Sequence, residues 1–137
     1  MKKTLSAVEK KALTRHILEM ASVEQELRKL AKPGKELANY LIYAVDALHH
    51  QRIEWIIDHF GYPTRAMIGD EALKSFWILV QHIQYDTDLQ KRCLKHCKFG
   101  PVEEAHLQDR ILIQLEQKQM YGTQRRRKAD GTFELFP

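Results

Sequence analysis

The residues best suited to chemistry are a histidine and two aspartates that follow apolar helical stretches. His82 and Asp86 stand four residues apart in Trp77–Asp86, where an apolar stretch ends in polar groups. On a helix this spacing brings an imidazole and a carboxylate to one face. The pair would then be a base with its orienting partner, or two metal ligands. We predict that His82 acts as general acid or base if the chain is catalytic, with Asp86 or Asp109 orienting it.

The same spacing recurs at Asp46 and His50. Two such pairs facing each other would form a four-ligand site for zinc or iron. Asp86, however, also stands where a helix N-cap is expected, and an N-cap carboxylate accepts a backbone hydrogen bond. Cys93 and Cys97 have no second Cys/His pair at zinc-ligand spacing. We therefore expect no metal and no cofactor.

Further polar residues interrupt the apolar faces of the predicted helices. Burying an unpaired polar group costs roughly 1–3 kcal/mol, so these residues need partners or a function. Arginines bind carboxylate or phosphate through two parallel hydrogen bonds, and ion pairs between helices are the alternative. We predict one polar pocket near His82, Arg110 and Tyr121 that holds a small anionic or peptide ligand. The predicted ligand-binding residues are Glu24, Gln25, Arg28, Asp46, Gln81, Arg110, Tyr121 and Gln124.

Two functions from different classes follow from these residues. The favoured one is a ligand-binding or protein-interaction domain, because no nucleophile stands out. The alternative is a hydrolase or transferase in which His82 exchanges protons and Arg28 or Arg110 holds an anion. The chain has no P-loop, dinucleotide fingerprint or Gly-x-Ser-x-Gly motif.

Length and charge set limits on the class of protein. A chain of 137 residues fits one domain. The net charge of +4 is concentrated at Lys2–Lys3 and Arg125–Lys128, which argues against a basic face for nucleic acid. The sequence has no signal peptide and no apolar run long enough to cross a membrane. Two cysteines that we expect to be reduced indicate a cytoplasmic protein.

The elements that position these residues are helices. The spacing of apolar residues predicts helices over about 7–31, 35–60, 70–84, 87–97 and 102–117. Ser6 and Glu9 have capping-box spacing at the start of the first helix. In the second helix one drifting stripe is expected, through Leu37, Leu41, Ala44, Val45, Leu48, Arg52 and either Trp55 or Ile56. We predict one all-α domain, a bundle of about five helices with an irregular or hairpin-like tail over 118–137.

Motifs along most of the chain resemble a mostly bacterial family of small helical proteins whose function is not known. The resemblance is strongest at Asp109-Arg110 and at Gln119-x-Tyr121-Gly122-Thr123-Gln124. Other matching residues are Glu24-Gln25, Arg28, Asp46, Ile56-Ile57, Gly61-Tyr62-Pro63, Gly69, Ala72, Trp77, Leu79, Gln81-His82, Asp86 and Gln90. This chain departs from the family by having His49-His50 where an Asn follows the Asp46 position. The resemblance implies a small α-helical domain and no particular activity.

Overall fold

Five helices and a short C-terminal hairpin make up the part of the chain that the structure, a computed structural model, describes: residues 4–83 and 85–137. The all-α fold with a hairpin-like tail is confirmed. The elements are α1 (Ala7–Leu30), α2 (Glu36–Phe60), α3 (Arg65–Gln81), α4 (Thr87–His96), α5 (Pro101–Gln114), β1 (Arg125–Arg127) and β2 (Phe133–Leu135).

The predicted capping box starts α1. The Glu9 backbone N–H donates to Ser6 Oγ at 3.1 Å, and the Ser6 backbone N–H donates to Glu9 Oε1 at 3.0 Å. These bonds satisfy donors that the first helical turn leaves open. At the C-terminal end of α2, Gly61 caps the helix with φ of 90°, a conformation that favours glycine.

The third helix differs from its prediction at both ends. It begins at Arg65 rather than near residue 70, and Gly69 interrupts it with φ of 81°. Glycine adopts this φ without a steric cost, so a first helical turn joins the longer segment across a kink. The helix ends at Gln81, earlier than the predicted end at residue 84, which lies outside the described residues.

The last two helices begin as expected. Asp86 caps α4, accepting a hydrogen bond from the Leu89 backbone N–H at 3.0 Å. Pro101 occupies the first turn of α5, where its missing N–H costs nothing. This helix ends at Gln114 rather than residue 117, and Glu116 already has φ of 58°. No described helix is long and apolar enough to cross a membrane.

The hydrophobic core lies between α1, the second half of α2, and α3 to α5. Ile17, Ile53, Phe76, Leu89 and Leu107 are among its fully buried members, one from each helix. Cys93 and Cys97 are also buried there as free thiols. The core therefore fixes the relative positions of all five helices.

The predicted stripe of α2 is wrong over Leu37 to Leu48, whereas Ile56, its alternative to Trp55, is buried. Leu41, Leu48 and Trp55 are 36%, 43% and 53% exposed, whereas His49 and Ile53 are buried. A shift of one residue rotates a helix face by roughly 100°, and the long apolar sequence of α2 allowed either phase. The rotation that the fold adopts turns a histidine inward.

The tail forms a small antiparallel hairpin. Arg126 pairs with Glu134 across β1 and β2, and Arg126 Nε donates to Glu134 Oε1 at 2.7 Å. Gly131, with φ of 89°, and Asp130, which accepts from the Thr132 backbone N–H at 2.9 Å, shape the turn. Of the two forms predicted for the tail over 118–137, the hairpin is the one observed.

Candidate functional site

A buried carboxylate on α1 holds His82, the histidine at the C-terminal cap of α3. Glu24 is 1% exposed, and its Oε1 is in direct contact with His82 Nδ1. The contact is not aligned as a hydrogen bond. Gln25 Nε2 also donates to Glu24 Oε1, at 3.3 Å. Glu24 rather than Asp86 or Asp109 is therefore the carboxylate paired with His82 among the described residues.

Arg28 joins this pair to α2. Its Nη2 donates to Asp46 Oδ2 at 2.9 Å, and its Nη1 lies 3.6 Å from Glu24 Oε1. One guanidinium thus bridges two carboxylates on neighbouring helices. The predicted residues Glu24, Gln25, Arg28 and Asp46 are brought together, and an interhelical ion pair accounts for part of their arrangement.

His49 lies against the same carboxylates. One of its ring nitrogens, one oxygen of Glu24 and one oxygen of Asp46 all lie within 4.8 Å of one another. His49 is 4% exposed, and its buried Nδ1 has no hydrogen-bond partner among the described residues. Burial lowers the pKa of His49 below its ordinary value, although Glu24 and Asp46 oppose this effect.

Asp86 pairs with His50 instead of His82. His50 Nε2 lies 2.8 Å from Asp86 Oδ2 and 3.2 Å from Glu54 Oε1. Burial alone would raise the pKa of Asp86, but the Leu89 backbone N–H and His50 hold that pKa below its ordinary value. The proposed orienting role of Asp86 toward His82 is not realised, because its two oxygens serve a helix cap and another histidine.

These groups surround an open cleft of about 530 Å³, which we call the histidine cleft. Its polar lining consists of Asn39, Tyr43, Asp46, His50, His82 and Tyr85. No serine, cysteine or lysine occurs among the described residues that line it.

Asp109 is used for a different purpose, in anchoring the segment 119–124, which we call the Asp109 turn. Asp109 is 0% exposed, and its two oxygens accept hydrogen bonds from the backbone N–H groups of Met120, Tyr121 and Thr123 and from the Thr123 hydroxyl, at 2.7–3.2 Å. Gly122, with φ of 70°, makes the turn sharp enough for this convergence.

The hydrogen bonds at Asp109 decide its charge and its role. Burial alone would raise the pKa of the Asp109 carboxyl, but the donors of Thr123, Tyr121 and Met120 hold it below the ordinary value. The carboxylate is therefore charged and fully engaged. In this structure Asp109 anchors the turn and does not pair with His82, and its predicted catalytic role stays a prediction.

Arg110 lines a second cavity, which shares Tyr85 with the histidine cleft. We call this cavity of about 700 Å³ the arginine pocket. Arg110 Nη1 donates to the Gln81 backbone oxygen at 3.0 Å, and no carboxylate forms an ion pair with Arg110 in the described chain. Burial, and then repulsion from Arg28, lower the pKa of Arg110, although attraction to the Glu24 carboxylate opposes this effect.

A chain of amides supports the arginine pocket. Gln90 is fully buried: its Nε2 donates to the Val80 and Gln81 oxygens at 3.0 and 3.3 Å, and its Oε1 accepts from Gln114 Nε2 at 2.9 Å. Gln114 Nε2 also donates to the Arg110 backbone oxygen at 3.2 Å. These bonds lock α3, α4 and α5 together behind the Arg110 guanidinium.

The single pocket predicted from the sequence is divided in two. His82 and Asp46 line the histidine cleft, whereas Gln81, Arg110 and Gln124 line the arginine pocket. Tyr121 lines neither cavity and is 59% exposed. Its backbone, rather than its ring, makes the contact that matters, to Asp109.

Sequence reasoning left other lining and clustered residues out of the predicted binding set. These are Tyr43, His49, Gln114 and Arg125. The i, i+3 spacing of Asp46 and His49 was a usable signal, since such residues share a helix face.

No family model, curated protein or solved structure matches the chain. The resemblance drawn from its motifs therefore stays a prediction, and the function rests on the geometry of the two cavities.

Proposed function

We propose that the chain is a binding domain whose arginine pocket holds a small organic anion. The observation that supports this proposal is Arg110, a half-buried guanidinium without a carboxylate partner among the described residues. Glu24, which lies beyond ion-pair distance, offsets part of this buried charge, whereas Arg28 repels it. A bound anion would supply the direct partner that the guanidinium lacks.

The rest of the pocket lining favours an anion over a cation. Arg110 and Arg125 are both present, and no aspartate or glutamate occurs among the described lining residues. Two positive groups and no carboxylate give the pocket a positive potential. A guanidinium fork matches a carboxylate or a phosphate group, which therefore defines the recognised part of the ligand.

The apolar side of the pocket suits the remainder of an organic ligand. Ile113, Leu115 and Phe136 line it opposite the polar groups. A cavity of about 700 Å³ is in the range of pockets for small molecules. The same chemistry would accept the C-terminal carboxylate of a short peptide, so the test includes both.

Binding is measured by calorimetry at low ionic strength with inorganic phosphate, citrate, an aromatic carboxylate and a short peptide with a free C-terminus. We expect saturable binding of at least one of these anions. Arg110→Gln should weaken it at least tenfold, the scale of one lost bidentate contact of roughly 1.5–3 kcal/mol. Arg110→Lys should give an intermediate loss, because the charge stays and the fork is lost.

The matched control is Arg65→Gln, which removes an arginine that is already paired with Asp70 on the surface. It should leave anion binding unchanged. Equal affinity of the Arg110→Gln variant and the unaltered protein for every anion would refute the proposal.

An enzyme that uses His82 remains the second function predicted from the sequence. Its orienting carboxylate would be Glu24. We favour binding, because the described residues around His82 include no serine, cysteine or lysine that could form a covalent intermediate. A protein partner also stays a prediction.

A further inference from the structure

We infer that Glu24, Asp46 and His49 form a binding site for one divalent transition-metal ion, opening into the histidine cleft. The inference is independent of the anion proposed for the arginine pocket. The first observation is the geometry: two carboxylate oxygens and one imidazole nitrogen lie within 4.8 Å of one another.

Only a small closure would bring these three atoms around one ion. Donors bound at roughly 2.1 Å in a tetrahedral site lie about 3.4 Å from each other. All three residues come from the middle of long helices, α1 and α2, whose packing already fixes their directions. Rotamer adjustments of side chains suffice for the remaining approach.

The second observation is the unpartnered histidine. His49 is 4% exposed, faces the two carboxylates with a ring nitrogen, and has no hydrogen-bond partner for its buried Nδ1 among the described residues. Buried polar atoms are nearly always bonded, so an exception requires a reason. Coordination of an ion by the imidazole, with a hydrogen bond from its other nitrogen in the bound state, supplies one.

The third observation is that a cation already occupies part of this position. Arg28 bridges Glu24 and Asp46, at 3.6 and 2.9 Å. Two carboxylates so close to each other need a positive charge between them. Because the Arg28 side chain is 24% exposed, it can withdraw into solvent when a metal ion takes its place.

Access and selectivity follow from the same residues. Asp46 lines the histidine cleft, so the ion enters from there, and water from the cleft completes its coordination. Two carboxylates with one imidazole suit zinc or manganese better than magnesium, which prefers oxygen donors and retains its water.

The ion is tested with protein purified without a histidine tag, titrated with Zn²⁺, Mn²⁺ and Mg²⁺ by calorimetry. We expect one Zn²⁺ per chain, weaker Mn²⁺ and no Mg²⁺ binding. In the ¹⁵N spectrum, the imidazole resonances of His49 should shift with zinc. Asp46→Asn, which changes a partly exposed ligand, should weaken the binding of zinc at least tenfold.

Arg28→Met provides the sharpest test. If Arg28 competes with the ion, its removal should strengthen zinc binding at least tenfold, and zinc should restore the melting temperature that the variant loses. A purely structural arginine would give a destabilised protein that zinc does not rescue.

The control is Glu54→Gln, which alters the neighbouring group of His50, Glu54 and Asp86. The zinc affinity of this variant should lie within twofold of that of the unaltered protein. Loss of zinc binding in Glu54→Gln but not in Asp46→Asn would overturn the inference and assign the ion to that neighbouring group. Equal zinc affinity in the Asp46→Asn, Arg28→Met and unaltered proteins would also overturn it.

Discussion

Asp109 and Glu24 are both buried acids, but their surroundings are opposite in kind. Asp109 accepts hydrogen bonds from backbone N–H groups and a hydroxyl of the Asp109 turn. Among the described residues, the hydrogen bond and the ion pairs of the Glu24 carboxylate involve side chains, those of Gln25, His82 and Arg28. Backbone donors cannot leave without unfolding the turn, whereas side chains can rotate away.

The comparison separates a structural carboxylate from one suited to exchange partners. The donors around Asp109 fill its acceptor positions and leave no room for a ligand. Around Glu24 the positive partner is a partly exposed arginine, next to a histidine whose Nδ1 is unpartnered among the described residues. Burial of a carboxylate is therefore a poor guide to function unless the nature of its donors is known.

The largest expected effect on the stability of the fold comes from replacing the Asp109 carboxylate. Asp109→Asn replaces one acceptor by an amide donor that faces backbone donors, and should destabilise the fold by about 3 kcal/mol, as expected for lost hydrogen bonds to a buried charge. Denaturation in urea, followed by circular dichroism, measures the loss. Asp130→Asn, at the exposed hairpin turn of the same tail, is the control and should lose much less.

The contrast would be broken if the two aspartate variants were equally stable. That result would mean that the Asp109 turn is held in place by the hairpin and not by its carboxylate.

The second expected effect is that the contribution of Asp109 to the free energy of unfolding decreases in acid. Its pKa is lowered in the folded protein, so between that value and the unfolded pKa near 3.9 the unfolded chain binds more protons. The stabilisation by Asp109 is complete above the pKa that its carboxyl has in the unfolded chain. It is lost as the pH falls through the lower pKa that this carboxyl has in the folded protein. The stability gap between the unaltered protein and Asp109→Asn should thus narrow below about pH 4, by at most about 1.4 kcal/mol per pH unit.

Urea midpoints of both proteins at pH 6, 4 and 3 give this gap. Asp86, whose pKa is also lowered, is present in both proteins, so its titration cancels in the difference. A gap that is constant over this range would show that Asp109 is not a charged acceptor in the folded state.

Local sequence signals were sufficient for the number and order of the helices and for two of their N-caps. Ser6 with Glu9 and Asp86 with Leu89 are separated by three residues, so their bonds follow from spacing alone. The same reasoning gave the tail hairpin. The all-α fold could therefore be predicted without tertiary information.

The partners of the polar residues could not be predicted in the same way. Glu24 and His82 are 58 residues apart, Asp109 and Thr123 belong to different elements, and the pairing of His50 with Asp86 bridges 36 residues. These contacts depend on the rotation of each helix about its axis. For α2, whose apolar residues allow two phases, the rotation was decided by packing against α1.

The smallest expected effect is the loss of charge at Glu24. Glu24→Gln leaves Arg28 paired with Asp46, and Gln25 and His82 retain an amide oxygen as neighbour. We expect a loss of about 1.5 kcal/mol, because the buried Glu24 loses its charge while the partly exposed Arg28 keeps Asp46 as its partner. The loss should thus be well below that of Asp109→Asn, measured under the same urea conditions. If Glu24→Gln were the more damaging variant, Glu24 would be the structural acid of the pair, and the exchange of partners around it would be ruled out.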